Sequence, residues 1–195
     1  MKLSFESEAH MEECLVEYFN DLIYDSHEDE LLFELNQDTE IYTQLDMAEY
    51  GYPDIVIFNK GMKHDGEIIR NPEIIILELK NREVKEKDFE QVAKYFTGMN
   101  LLLEKFGFSD DECFVTAYVI GTSTPHLFMN RFLNSDLIGY GFVEFDTLSG
   151  ISINTGDSNA NWVRSEFNYE NLELSEMIKT LWIEENFKKD GKDAK

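Results

Sequence analysis

The chain has 195 residues, 43% of them hydrophobic, and carries 17 Lys or Arg against 40 Asp or Glu, a formal net charge of −23. This length and apolar content suit one folded domain with a real core and exclude a disordered chain. No apolar run approaches the roughly 18 residues of a membrane span, and so strong a negative charge argues against loose, non-specific affinity for a polyanion. Cys14 and Cys113 fit no zinc or redox spacing, and residues 1–13 hold no apolar leader-like stretch, so a reducing cytoplasmic setting is expected, with no membrane partner.

The charge is unevenly spread. Residues 1–59 contain one Lys and 16 acidic side chains, and residues 106–195 contain seven basic and 15 acidic ones. Residues 60–105 balance nine basic against nine acidic, so more than half of all Lys and Arg fall in this short stretch.

In chain order, residues 7–24 predict an amphipathic helix. Ser7 is placed to cap it, Glu8 suits the positive end of the helix dipole, and Met11, Leu15, Tyr18 or Phe19, and Leu22 recur at helical spacing. The acidic stretch 25–40 reads as a loop or a frayed second helix, and 41–50 alternates weakly, as a strand would. Gly51-Tyr52-Pro53 predicts a turn and 54–58 a buried strand. Residues 59–72 read as a long hairpin loop. The near-continuous aliphatic run 74–80 is of the central-strand kind. The longest helical pattern spans 84–106, with Phe89, Val92, Phe96, Met99, Leu103 and Phe106 as its core stripe. A strand at 114–120, a short helix at 127–133, strands at 140–146 and 150–154, and a helix at 173–187 follow. The pattern predicts a single α/β domain over 1–195, with a mixed central sheet flanked by helices, its core about 7–155 and a helical extension about 156–195.

The informative feature is an acid at the head of one strand, Asp54, and an acid-x-Lys on the next, Glu78-Leu79-Lys80. Residues i and i+2 of a strand share a face, so Glu78 and Lys80 project together while Leu79 enters the core. A hairpin places Asp54 beside them. Two carboxylates with water and phosphate oxygens suit Mg²⁺ or Mn²⁺, which polarises a phosphate and activates water. Lys80 can orient that water, help deprotonate it, or neutralise developing charge. The plainer account is a strand end where an apolar run meets its first solvated charges. Four aliphatics before Glu78 and Leu79 after it weigh against that account, because an unpaired charge there is costly.

These stretches, with Gln91-Val92-Ala93-Lys94-Tyr95 in the following helix, resemble the PD-(D/E)XK nuclease superfamily, in its RecB-like and NucS-like branch. The resemblance covers residues 7–97 by motif and continues to about 146 by element order. It implies a restriction-endonuclease-like fold and a Mg²⁺- or Mn²⁺-dependent nuclease acting on nucleic acid, DNA first, with structure-directed specificity. It also implies that Asp54 and Glu78 bind the metal, that Glu8 (with Glu12 as the fallback) helps hold it, that Lys80 is catalytic, and that Gln91 and Tyr95 line the site. The chain departs from the family pattern in the long 24-residue separation of Asp54 and Glu78, in Tyr52-Pro53 before the acid, and in its acidic first third. A second expectation follows from the charge: a silent or repurposed fold that mimics DNA or docks a basic partner protein. A protein partner or homodimer is compatible with either.

Other features carry less. His10, His27, His64 and His126 have no ligand spacing. Residues 122–126 fit a helix cap, the Asp/Glu runs at 28–30 and 110–112 fit solvated loops without an EF-hand pattern, and Trp162 and Trp182 fit core or interface positions. Arg82, Lys85, Lys87 and Lys94 can grip a phosphate backbone or simply solvate a helix start.

Overall fold

The computed structural model describes residues 4–25, 35–109, 111–123, 138–146, 150–158, 178 and 181–185. Helix α1 spans Glu8–Asp25, and the Ser7 hydroxyl accepts the His10 N–H at 3.0 Å, the expected cap. Strand β1 is Thr39–Thr43, followed by a 3-10 turn at Ala48–Tyr50; the single strand expected over 41–50 is corrected to these two pieces. Strand β2 is Ile55–Asn59, and the segment read as a loop over 59–72 holds a hairpin, β3 Gly61–His64 and β4 Glu67–Arg70. Asp65 (φ 50°) and Gly66 (φ 83°) turn it, the two positive φ values of the Asp-Gly turn that matches strand twist. Strand β5 is Glu73–Leu79, helix α2 Glu86–Lys105, β6 Phe114–Gly121, β7 Ile138–Asp146, β8 Gly150–Ser158 and β9 Trp182–Glu185.

The main sheet is mixed, in the order β1-β2-β5-β6-β7-β8. β1, β2 and β5 run antiparallel, β5, β6 and β7 parallel, and β8 antiparallel to β7. Alternation along β5 divides the core. Ile74 and Ile76 pack with α2 residues Phe89, Val92, Phe96 and Met99, while Ile75, Leu77 and Leu79 pack with α1 residues Met11, Leu15 and Phe19 on the other face. Both faces are covered, which is why the strand is unbroken aliphatic from Ile74 to Leu77, between Glu73 at its start and Glu78. A second, three-stranded sheet has the order β4-β3-β9.

The helix expected at 173–187 is corrected at its end. Ile178 is helical and buried, but residues 182–185 are extended and pair in parallel with β3, and Gly61 N–H donates to the Leu181 carbonyl at 2.6 Å. An open edge on β3 satisfies more backbone groups there than a fraying helix end would. β8 likewise extends through Ser158, beyond the expected 154. The helix expected at 127–133, Trp162 and the 28–30 run lie outside the described residues. Among the described residues no helix is long and apolar enough to cross a membrane.

Helix α2 is locked at its start. Asp88 accepts the Lys85 N–H at 2.8 Å and takes a two-pronged bond from Arg82, at 2.7 and 2.8 Å. Burial pushes the Asp88 carboxyl up, but the Arg82 bonds outweigh it, and the pKa falls below its ordinary value. Arg82 is therefore committed to the fold rather than to a ligand. Asp88→Ala strands the guanidinium and uncaps the helix, and should cost about 2–3 kcal/mol in urea unfolding. A change below about 0.5 kcal/mol would contradict the assignment.

Candidate active site

The site forms at one end of β2 and β5. Ile55 pairs with Leu77, so continuing that antiparallel register by one residue sets Asp54 opposite Glu78, on the α2 face of the sheet. Two like charges directly opposite destabilise a sheet. The sequence tolerates them here only with compensating groups.

Glu78 is 2% exposed. Its Oε1 accepts the Lys80 ammonium at 2.5 Å, and its Oε2 is buried with no hydrogen-bond partner. Burial and the neighbouring Asp54 carboxylate push its pKa from an ordinary 4.5 to about 7, against the pull of Lys80. Burial alone would lower the Lys80 pKa; its hydrogen bond to Glu78 and the charges of Glu78, Glu8 and Asp54 outweigh that and raise it. The proton stays on Nζ. Lys80 N–H continues the ladder to β6 by donating to the Ile120 carbonyl at 2.8 Å, so the sheet fixes the main chain from which the ammonium projects.

Asp54 is held on both oxygens. Oδ2 accepts the Leu79 N–H at 2.6 Å, and Oδ1 accepts the Gln44 amide at 2.9 Å. The same Gln44 Nε2 donates to Glu12 Oε2 at 2.7 Å. Glu8, at the start of α1, accepts the Asn81 N–H at 3.3 Å and lies 3.9 Å from the Lys80 ammonium. Asn81 in turn donates to the Phe5 carbonyl at 2.9 Å, tying the N-terminal segment to the end of β5.

Gln91 and Tyr95 share one face of α2, as i,i+4 spacing requires. Gln91 Nε2 donates to Tyr95 Oη at 2.5 Å, and Tyr95 O–H donates to the Tyr52 carbonyl at 3.1 Å. Tyr95 is 1% exposed; burial first, then the charges of Glu78 and Asp54 and the closeness of the Glu78 carboxylate to the hydroxyl, raise its phenol despite the Gln91 bond, while the hydroxyl proton itself goes to Tyr52. Its ring leaves little room beside Gly51, where an added Cβ would sit 3.2 Å from Cε1 and φ is +104°. Tyr95 is thus a buried neutral group bracing the turn before Asp54.

All the expected site residues meet at this end of the sheet, but not as one acidic ring. Asp54 and Glu78 oppose each other, Glu8 faces Lys80 and Asn81, and Glu12 reaches Asp54 only through Gln44. Among the described residues no three Asp, Glu, His or Cys side chains are grouped to hold a metal ion. A pair is nevertheless sufficient for Mg²⁺, which is commonly held by one or two carboxylates and otherwise keeps water or phosphate oxygens. The unpartnered Glu78 Oε2, beside a second carboxylate, fits such a cation. Gln44 and Asn81 are the site residues that sequence reasoning missed. Both are ordinary amides in polar surroundings, and no periodicity or motif marks them.

No protein-family model matches the chain, and neither the curated proteins nor the solved structures contain a match to it.

Proposed function

We propose that the chain is a divalent-metal-dependent phosphodiesterase that hydrolyses nucleic acid, DNA first, on a restriction-endonuclease-like fold. The observation that carries this reading is the facing pair Asp54 and Glu78, with a buried carboxylate oxygen lacking a partner and a protonated Lys80 against it. The element order supports the fold: three antiparallel strands lead through β5 and the crossover helix α2 to parallel β6, with α1 on the opposite face.

Asp54 and Glu78 would hold Mg²⁺ or Mn²⁺. A bound ion supplies Lewis-acid polarisation of the scissile phosphate and acidifies water. Lys80, kept protonated by its carboxylate neighbours, donates hydrogen bonds and offsets negative charge on the phosphoryl oxygens rather than acting as a free-amine base. Glu8 adds an outer carboxylate that biases Lys80 toward the charged form. Gln91 and Tyr95 position the Tyr52–Asp54 turn. Wild-type protein should cleave at least one member of a panel of single-stranded, duplex and branched DNA and RNA in Mn²⁺, and not in EDTA. No cleavage across the panel would reject the reading.

The net charge of −23 and an open groove beside α1, lined by Glu12, Glu13, Glu17 and Asp21, favour a second reading: an acidic mimic or regulator that docks a basic protein. Such a protein would bind a basic nuclease or helicase with no dependence on Asp54 or Glu78.

A further inference from the structure

Gln44 sits just past β1, exposed, with φ +51°. That left-handed backbone is uncommon for a residue with a side chain. It is held there by its own N–H, which donates to the Asp54 carbonyl at 3.1 Å. The result is a short crosslink. One residue grips the Asp54 main chain, places its amide 2.9 Å from Asp54 Oδ1, and uses the same nitrogen 2.7 Å from Glu12 Oε2. Exposed hydrogen bonds of this kind contribute little to stability, so strain at this position points to a role in the site rather than in the fold.

The chemistry of the donor narrows that role. Lys80 meets Glu78 with a full positive charge, whereas Gln44 meets Asp54 and Glu12 with a neutral amide. A neutral donor fixes the direction of a carboxylate without cancelling its charge, so Asp54 stays oriented and still attractive to a cation. With Leu79 N–H on Oδ2, the amide on Oδ1 leaves the carboxylate no freedom to rotate. We infer that Gln44 is a positioning residue that aims Asp54 for divalent-cation binding and couples it to Glu12 on α1. The inference rests on the proposed metal-dependent reading and adds a residue to it.

Partners that orient a metal ligand through a hydrogen bond typically contribute about 10–100-fold to metal affinity. Gln44→Gly removes the amide while suiting the left-handed backbone, and Gln44→Asn tolerates that backbone but is one methylene too short to reach both carboxylates. Calorimetric titration with Mn²⁺ should show affinity lowered about tenfold or more in Gln44→Gly and by an intermediate factor in Gln44→Asn. The melting temperature in EDTA should be unchanged or higher in Gln44→Gly. Wild-type-like or tighter Mn²⁺ binding by Gln44→Gly, whether or not its melting temperature falls, would overturn the positioning role alone. A wild-type protein that binds no Mn²⁺ would overturn both this role and the metal-dependent reading beneath it.

Discussion

Asp54→Asn and Lys80→Ala should each lower Mn²⁺-dependent cleavage by about 10²–10³-fold or more, with far-ultraviolet circular dichroism unchanged. Asn at position 54 keeps one carbonyl oxygen, enough to accept the Leu79 N–H but not the Gln44 amide as well, so the bond to the β5 end survives while the charge and the Gln44 contact are lost. Loss of Lys80 removes its positive charge from beside Glu78, whose carboxyl is already raised by burial and by Asp54; it then binds a proton more readily. Both variants therefore lose charge from the site by different routes and should converge on the same inactive phenotype. Cleavage by both at the wild-type rate would place the chemistry elsewhere.

The second large effect is a pH dependence of stability carried by Glu78. Its folded pKa is raised, from an ordinary 4.5 to about 7, so the native state holds this proton more tightly than the unfolded chain does. The stabilisation is complete below the unfolded value and is lost as pH rises through the folded one. The shift corresponds to about 3 kcal/mol across that window. In urea unfolding with EDTA, the wild type should lose stability relative to Glu78→Gln by about this amount between pH 4.5 and pH 8. Gln at this position mimics the protonated acid and should be the more stable form at alkaline pH. Parallel pH curves for the two proteins would show that Glu78 is not buried beside Asp54 as described.

Much of this arrangement is legible in the sequence because the elements that build it are buried on both sides. The aliphatic run before Glu78 can satisfy two packed faces only as a central strand, and the Phe89–Val92–Phe96–Met99 stripe can satisfy one only as a helix. Once those are placed, the parity of a strand fixes which side Glu78 and Lys80 take, and the short Tyr52-Pro53 turn puts Asp54 across from them. What sequence alone did not yield lacks that redundancy. Strands β3 and β4 are short and partly exposed, with Ile68 and Ile69 more than half exposed, so no core-facing period betrays them; the Asp65-Gly66 turn was the available signal. β9 depends on an edge supplied by residues distant in the chain. Arg82 and Asp88 look like solvated charges until the backbone brings them together. Gln44 is set by a backbone φ that no side-chain pattern encodes.

The opposition of Asp54 and Glu78 has an energetic consequence that a cation would reverse. Two facing carboxylates, one of them desolvated, destabilise the metal-free protein at neutral pH, and a divalent ion between them would relieve both the repulsion and the orphaned oxygen. The native state should then be stabilised in proportion to occupancy, by about 2.7 kcal/mol when free Mn²⁺ is a hundred times its dissociation constant. For a chain of 195 residues that is a rise of roughly 5–10 °C in melting temperature.

The most direct measurement is thermal unfolding of the wild type, Asp54→Asn and Glu78→Gln, each in saturating Mn²⁺ and in EDTA. A Mn²⁺-dependent rise of several degrees in the wild type, absent from both variants, is the expected result. The same shift in all three proteins, or none in the wild type, would contradict a cation site built on Asp54 and Glu78.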